Sequence, residues 1–413
     1  MLHEHLFNTR TESVFRVTDK NSNTFALKVF SYMTTSQQQE KAEQLLGFGT
    51  DRATMLKITK TLCPQLLTPP STSEPVDVTC DNSHIELLAG IDVDVVGDNG
   101  EILKSKIMNI TNSQGIVTER NVEFTSNLLV PYTAGGRMGD VIDNNPNFRS
   151  ILNRYLVYTN VAAQLVEAVK RLHSIGVAHA GITPSTVYCS NAVCDEITLG
   201  EFGRAFAEKN PILASMGYVN EIAQESVRFM SVYNQNKNDV DPKIVKKAFE
   251  YLRKPVTWDA ARKVDWFGLG GTLFYIVGGS RIYVDSVENV RTSSRMLAEF
   301  IISNLGDNEL VDRIKDPNSR RVLEKVRSQV AEGLALIDGL LAIDRSKRIS
   351  FDSDLGRSQM STGLRANKAV LSVLQTDSRS PGNTCAHFLK ETKRVVGNMD
   401  QSVGIPSFIQ QVC

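Results

Sequence analysis

The sequence predicts an α+β chain, with a small β-rich lobe followed by a mostly helical one. Three observations predict it. Strand-like runs separated by turn residues fill roughly the first third, apolar residues at helical spacing take over from about Ser150, and a hairpin from Ser185 to Leu199 interrupts the helices. A length of 413 residues suits two lobes better than one ordinary core.

The elements follow in order. Ser13 to Val17 alternates apolar and polar residues, Asp19-Lys20-Asn21-Ser22-Asn23 is a turn cluster, and Thr24 to Phe30 is a second strand, so a β-hairpin feeds a strand that bears Lys28. Gln37 to Leu46 reads as a polar helix, and Thr68 to Ser73 as a Pro-rich loop. Val76 to Leu129 reads as a β-rich insertion with an extended hairpin; it carries one glycosylation triplet, Asn109-Ile110-Thr111. Val161, Leu165, Val169 and Leu172 then recur at helical spacing. Further helices are expected over Lys243–Leu252, Val264–Val277, Ser293–Leu305 and Val322–Leu341, followed by a polar tail with weaker helices from Phe351 to Cys413.

Composition excludes some functions. Lysine plus arginine and aspartate plus glutamate both number 46, so net charge gives no pull toward nucleic acid or an anionic membrane. No apolar run approaches the ~18 residues of a membrane span. The start, MLHEHLFNTR, has no apolar stretch of signal-peptide length, so a cytosolic protein or a processed form is expected. The six cysteines contain no Cys-x-x-Cys pair, which argues against a thiolate metal site. Cys189 and Cys194 flank a turn: they are either two half-buried thiols or a disulfide across a hairpin, and the second would imply an oxidising compartment.

Five local sequences, in order, resemble the eukaryotic-type protein kinases, over about Val14 to Ser350. Ala26-Leu27-Lys28-Val29-Phe30 looks like the strand whose lysine reaches the α- and β-phosphates of ATP. Gln164 to His179 looks like the helix and turn leading into the catalytic loop. Ile197 to Gly203 stands where kinases carry Asp-Phe-Gly, with Glu201 at the metal-binding position. Val264 to Gly270 resembles the start of the central helix of the large lobe, which would make Asp265 a structural acceptor for the catalytic-loop backbone. Asp344 to Ile349 looks like the loop whose arginine, here Arg348, pairs with a glutamate, either Glu225 or Glu250. The resemblance implies a bilobal kinase-like fold: an N-lobe with extended β-rich insertion over 1–135, a C-lobe over 136–350, and a C-terminal extension over 351–413 packing on it.

The same alignment shows what is missing. Phosphoryl transfer relies on positioning and on neutralising charge. The loop that should read His-Arg-Asp-Leu-x-x-x-x-Asn reads His179-Ala180-Gly181-Ile182-Thr183-Pro184-Ser185-Thr186. Gly181 stands at the base position and cannot accept a proton; Thr186 stands at the metal-binding asparagine. His179 is expected to pack beneath the metal loop. The three glycines that let backbone N–H groups approach phosphate fall on Phe7, Thr9 and Glu12. What survives is a vestigial nucleotide site: Lys28, Glu201, and Glu43 (or Glu40) as the lysine's partner.

These features are most similar to the rhoptry kinase and pseudokinase family secreted by apicomplexan parasites. That resemblance implies a catalytically inactive scaffold or allosteric regulator and virulence factor. Its partner would be an active kinase or a host or vacuolar protein, met in the rhoptry or the parasitophorous vacuole. No metal or cofactor is expected, though such relatives can retain ATP with Mg or Mn. The alternative is an atypical ATP-using kinase or transferase with residual activity.

Overall fold

The computed structural model describes residues 2–8, 12–67, 80, 84–97, 99–111, 117–149, 151–207, 257–278, 317–342, 346–351 and 353–376. The expected helices at 243–252 and 293–305, the loop at 68–73, and both Glu225 and Glu250 lie outside these residues.

Six strands form the N-terminal sheet: β1 (Leu2–Asn8), β2 (Glu12–Thr18), β3 (Thr24–Met33), β4 (Gly90–Ile91), β5 (Ser105–Thr111) and β6 (Val117–Pro131). Their order is β1-β2-β3-β6-β4, with β5 also paired to β6, and every pairing is antiparallel. The turn cluster predicted between β2 and β3 closes on Asp19, whose carboxylate accepts from the backbone of Asn21 and Asn23. Alternation in β3 sorts its side chains between two cores. Leu27 and Val29 pack outward with Phe15, Val95, Ile110, Val122 and Phe124. Ala26 and Phe30 face inward to a core that continues into the helical lobe. Lys28 lies on that inward face.

Helix α1 (Gln38–Leu62) crosses behind the sheet. It is far longer than the stretch to Leu46 that the sequence suggests. Gly47 and Gly49 lower helix propensity there, but Phe48, Met55 and Ile58 are fully buried in the main core, and tertiary packing carries the helix through. Gly47 has a further role: its carbonyl lies 3.1 Å from where a Cβ on Gly203 would stand, so helix and loop meet through two glycines.

The helical lobe holds α2 (Met138–Asn144), α3 (Ile151–Ser174), α4 (Trp258–Gly278), α5 (Pro317–Leu340) and α6 (Asp354–Thr376). Short strands lie at its upper surface: β7 (Gly136–Arg137), β8 (Val177–Ala178), β9 (Val187–Cys189), β10 (Ile197–Leu199) and β11 (Phe206–Ala207). β9 and β10 form the predicted hairpin, and β7 joins it on the other side. α3 packs on α4 and α6, and α5 on α4 and α6. The Tyr158 hydroxyl on α3 donates to the Gly333 carbonyl on α5 at 2.5 Å. The arrangement is the bilobal α+β, kinase-like one that the sequence predicts.

Among the described residues two disulfides occur. Cys189–Cys194 closes the β9–β10 hairpin, so the pair is bonded and not two free thiols. Cys63–Cys80, which the sequence left unpaired, ties the end of α1 to the following segment.

Candidate functional site

The cleft between the sheet and the β7–β9–β10 platform brings together most of the residues singled out in the sequence. Lys28 enters from β3, and its Nζ donates to Glu86 Oε2 at 2.5 Å. The side chains are 1% and 6% exposed. Glu86 is thus a partner of Lys28; the side chain of Glu43, the expected partner, lies outside the described ones. A short parallel ladder explains its position: Glu86 N–H donates to the Leu199 carbonyl and Leu199 N–H to the His84 carbonyl, at 2.9 and 2.8 Å. This sets Glu86 beside Gly200, where any Cβ would collide with its carboxylate. The sequence carried one cue to Glu86, a lone acid inside the otherwise apolar run Ile85-Glu86-Leu87-Leu88.

Three more carboxylates gather round Lys28. Glu12, at the start of β2, is 2% exposed, and its carboxyl is hydrogen-bonded to that of Asp51 on α1. Asp51 also accepts the backbone N–H of Phe202. Glu201, at φ 62°, accepts the Tyr188 hydroxyl at 2.6 Å, with the Arg137 guanidinium at 3.7 Å. Burial pushes the Glu12 carboxyl well above its ordinary range, and Asp51 and Glu201 push it further. Burial likewise raises Glu86, against the pull of Lys28. Burial alone would lower Lys28, yet Glu86, Asp51, Glu12 and Glu201 outweigh it and hold the lysine protonated. Burial sets the direction for the two acids and charge sets it for the lysine, round which four acids gather.

The cleft is filled from both walls. Phe7 descends from β1, where a phosphate-covering loop would have glycine, and stacks on Tyr188 of β9 with ring centroids 6.0 Å apart. Arg137 lies over the same Phe7 ring at 3.7 Å and donates to the Asn8 carbonyl at 3.0 Å. Arg137 and Tyr188 are register partners across β7 and β9, which places both at the floor. The space left is about 180 Å³, lined by Leu6, Val14, Ala26, Tyr132 and Asp140 among others. That is below the roughly 300–1,000 Å³ usual for ligand sites.

The loop from His179 to Thr186 is turned in on itself. Thr186 Oγ1 accepts from Thr183 N–H at 3.0 Å and lies within 3.0 Å of the Thr183 carbonyl and 3.3 Å of the Gly181 carbonyl. Gly181 offers no side chain, and a Cβ there would stand 3.3 Å from Arg204. His179 donates from Nε2 to the Gly200 carbonyl at 2.8 Å and packs on Phe202. Burial lowers its imidazole and keeps it neutral. Asp265 is fully buried and accepts from the backbone N–H groups of His179 and Ala180 at 2.8 and 2.6 Å and from the His173 ring at 2.8 Å. Arg348 donates to the carbonyls of Ala342 and Lys263 at 3.0 and 2.7 Å and lies over Phe267. Among the described residues no cluster of three His, Cys, Asp or Glu side chains has the geometry to hold a metal ion.

These residues do not fit a magnesium nucleotide. Glu201 is engaged by Tyr188 and Arg137, Thr186 by its own loop, and the phosphate approach by Phe7 and a buried acid. Arg137, Tyr188, Asp51 and Glu86 were not singled out in the sequence, because only topology brings them to Lys28.

No family model matches the chain, and no curated protein does. Solved structures with a similar fold include the ROP18 kinase domain in complex with AMP-PNP and sucrose, at 14% identity and TM-score 0.44, covering 89% of this chain and 81% of that one. A rhoptry antigen kinase domain of Toxoplasma gondii matches at 13% and 0.41, covering 88% and 82%. ROP2 of Toxoplasma gondii, described as a virulence factor with a protein-kinase fold and no enzymatic activity, matches at 12% and 0.39, covering 89% and 82%. At such identities the residues of the cleft, and not the neighbours, decide what it can do.

Proposed function

We propose that this kinase-like chain is a catalytically inactive pseudokinase that works as a protein-binding scaffold or allosteric regulator. The observation that carries the reading is the cleft closed by its own side chains, with Phe7, Arg137 and Tyr188 spanning it from roof to floor. The degraded loop supports it: Gly181 supplies no base, and the Thr186 hydroxyl is spent on a turn. Removing a general base alone costs on the order of 10²–10⁴-fold in rate. The partner is a protein, such as an active kinase or a host or vacuolar protein. Two disulfides support passage through an oxidising compartment and hence secretion, in the manner of rhoptry proteins.

Thermal unfolding with ATP, alone and with Mg²⁺ or Mn²⁺, tests the reading, because a ligand bound only by the folded state raises the melting temperature. No shift at millimolar nucleotide is expected. A metal-dependent shift accompanied by phosphate transfer, both lost in Lys28→Ala, would establish instead an atypical kinase or transferase. The buried Lys28–Glu86 pair is the observation that favours that second reading.

A further inference from the structure

The chain's single Asn-x-Ser/Thr triplet falls at the edge of the N-terminal sheet, away from the cleft. Asn109-Ile110-Thr111 ends β5. Strand alternation sends Ile110 inward, where it is 2% exposed among Val122 and Phe124. Asn109 is exposed and makes no side-chain hydrogen bond among the described residues. The register pairs Ile107 with Asn121, Asn109 with Glu119, and Thr111 with Val117, so Ile107 and Val117 share the face of Asn109 and flank it. Both are large apolar residues facing solvent, at 61% and 60% exposure. Among the described residues β5 pairs with β6 alone and its outer edge is open. An open edge with apolar side chains is a template for strand pairing between molecules unless something covers it. The two disulfides place the folding chain in an oxidising compartment, which is where asparagine-linked glycosylation also takes place.

We propose that Asn109 carries an N-linked oligosaccharide, and that the glycan covers Ile107 and Val117 and blocks the β5 edge. The donor class is a lipid diphosphate-linked oligosaccharide. The Asn109 carboxamide nitrogen attacks the anomeric carbon, a C–N bond forms, and the C–O bond to the diphosphate breaks. The nitrogen gives up one proton, the lipid diphosphate leaves with the bonding electrons, and nothing is oxidised or reduced. This inference rests on the sheet edge and the disulfides, and it stands or falls apart from the reading of the cleft.

The test is the full chain produced through a eukaryotic secretory pathway and treated with peptide N-glycosidase in heavy-oxygen water. The peptide spanning Asn109 is expected to return as an aspartate carrying the heavy isotope, with a faster-migrating band on a gel. Asn109→Gln and Thr111→Ala should both abolish the band shift, whereas Thr111→Ser should keep it. An unmodified Asn109 in secreted chain whose disulfides are closed overturns the proposal. The covering role has its own readout in light scattering of folded chain before and after deglycosylation. Self-association that increases on removal of the sugar is expected, and an unchanged monodisperse profile would overturn that part. Adding a lysine by Ile107→Lys should suppress the association, and failure to do so would place the contact elsewhere.

Discussion

Lys28 is held by a partner from a loop, and this changes what its removal does. Nζ and the Glu86 carboxylate meet with almost no water around them. Deleting the lysine leaves Glu86 buried and uncompensated, which costs roughly 3–5 kcal/mol, whereas an apolar pair of similar volume can be close to neutral. Lys28→Ala is therefore expected to lower stability in urea unfolding by about that amount. Lys28→Met combined with Glu86→Leu should recover much of it. A double variant as unstable as Lys28→Ala would show that the remaining acids, and not the pair, govern the site. Legibility at this scale was uneven. Lys28, His179, Asp265 and Glu201 could be located from local strings because each sits in a short run of fixed spacing. Glu86, Arg137 and Tyr188 could not, since they reach the cleft only through the ladder at Leu199 and the β7–β9 register.

At the scale of elements, the contact between β2 and α1 is a hydrogen-bonded pair of acids, Glu12 and Asp51, that also holds the Phe202 backbone. Glu12 has a folded-state value raised above its unfolded one. Between those two values the folded chain keeps a proton that the unfolded chain has released, so stability falls as pH rises through that window and is fullest below the ordinary glutamate range. Glu86, raised in the same direction, adds to the slope. Thermal unfolding followed upward from pH 4.5 should show this decline, and Glu12→Gln should flatten it without removing it; an unaltered slope would mean that Glu12 is ionised in the fold. Disulfides act on the same elements. Cys63–Cys80 closes a loop with a sequence separation of 17 and Cys189–Cys194 one of 5. Chain-entropy scaling gives about 3 and about 2 kcal/mol. Replacing Cys63 and Cys80 by serine should thus cost more in a melting experiment than replacing Cys189 and Cys194, and the reverse ranking would contradict loop entropy as the cause. Element boundaries explain a gap in the sequence reading. Gly47 and Gly49 disguise the continuation of α1, and with it Asp51, and Gly47 answers to a close approach by Gly203 that no local pattern encodes.

For the whole molecule, the proposed inactivity draws on several separate places at once. The lobes, their order and the platform hairpin were readable because strand and helix periodicities differ and the markers keep their sequence. Whether the cleft was open, filled or occupied was not readable, since that depends on Phe7 and Arg137 meeting across 130 residues of chain. Restoring Gly181→Asp and Thr186→Asn together is expected to leave nucleotide binding undetectable, because Phe7 still fills the phosphate approach. Adding Phe7→Gly to that pair should be required before any ATP-dependent thermal shift is seen. A shift in the first variant would show that the aromatic stack yields readily.

The stack of Phe7 on Tyr188, clasped by Arg137, has a consequence for recognition. A two-lobed molecule that can open and shut must surrender that freedom when a partner grips both halves, and ordering of this kind subtracts from affinity. A strap between the halves removes the freedom in advance. The surface above and below the cleft is then offered as one preorganised face, and a calorimetric titration with a bound partner should register a smaller entropic penalty for this chain than for its Phe7→Ala variant.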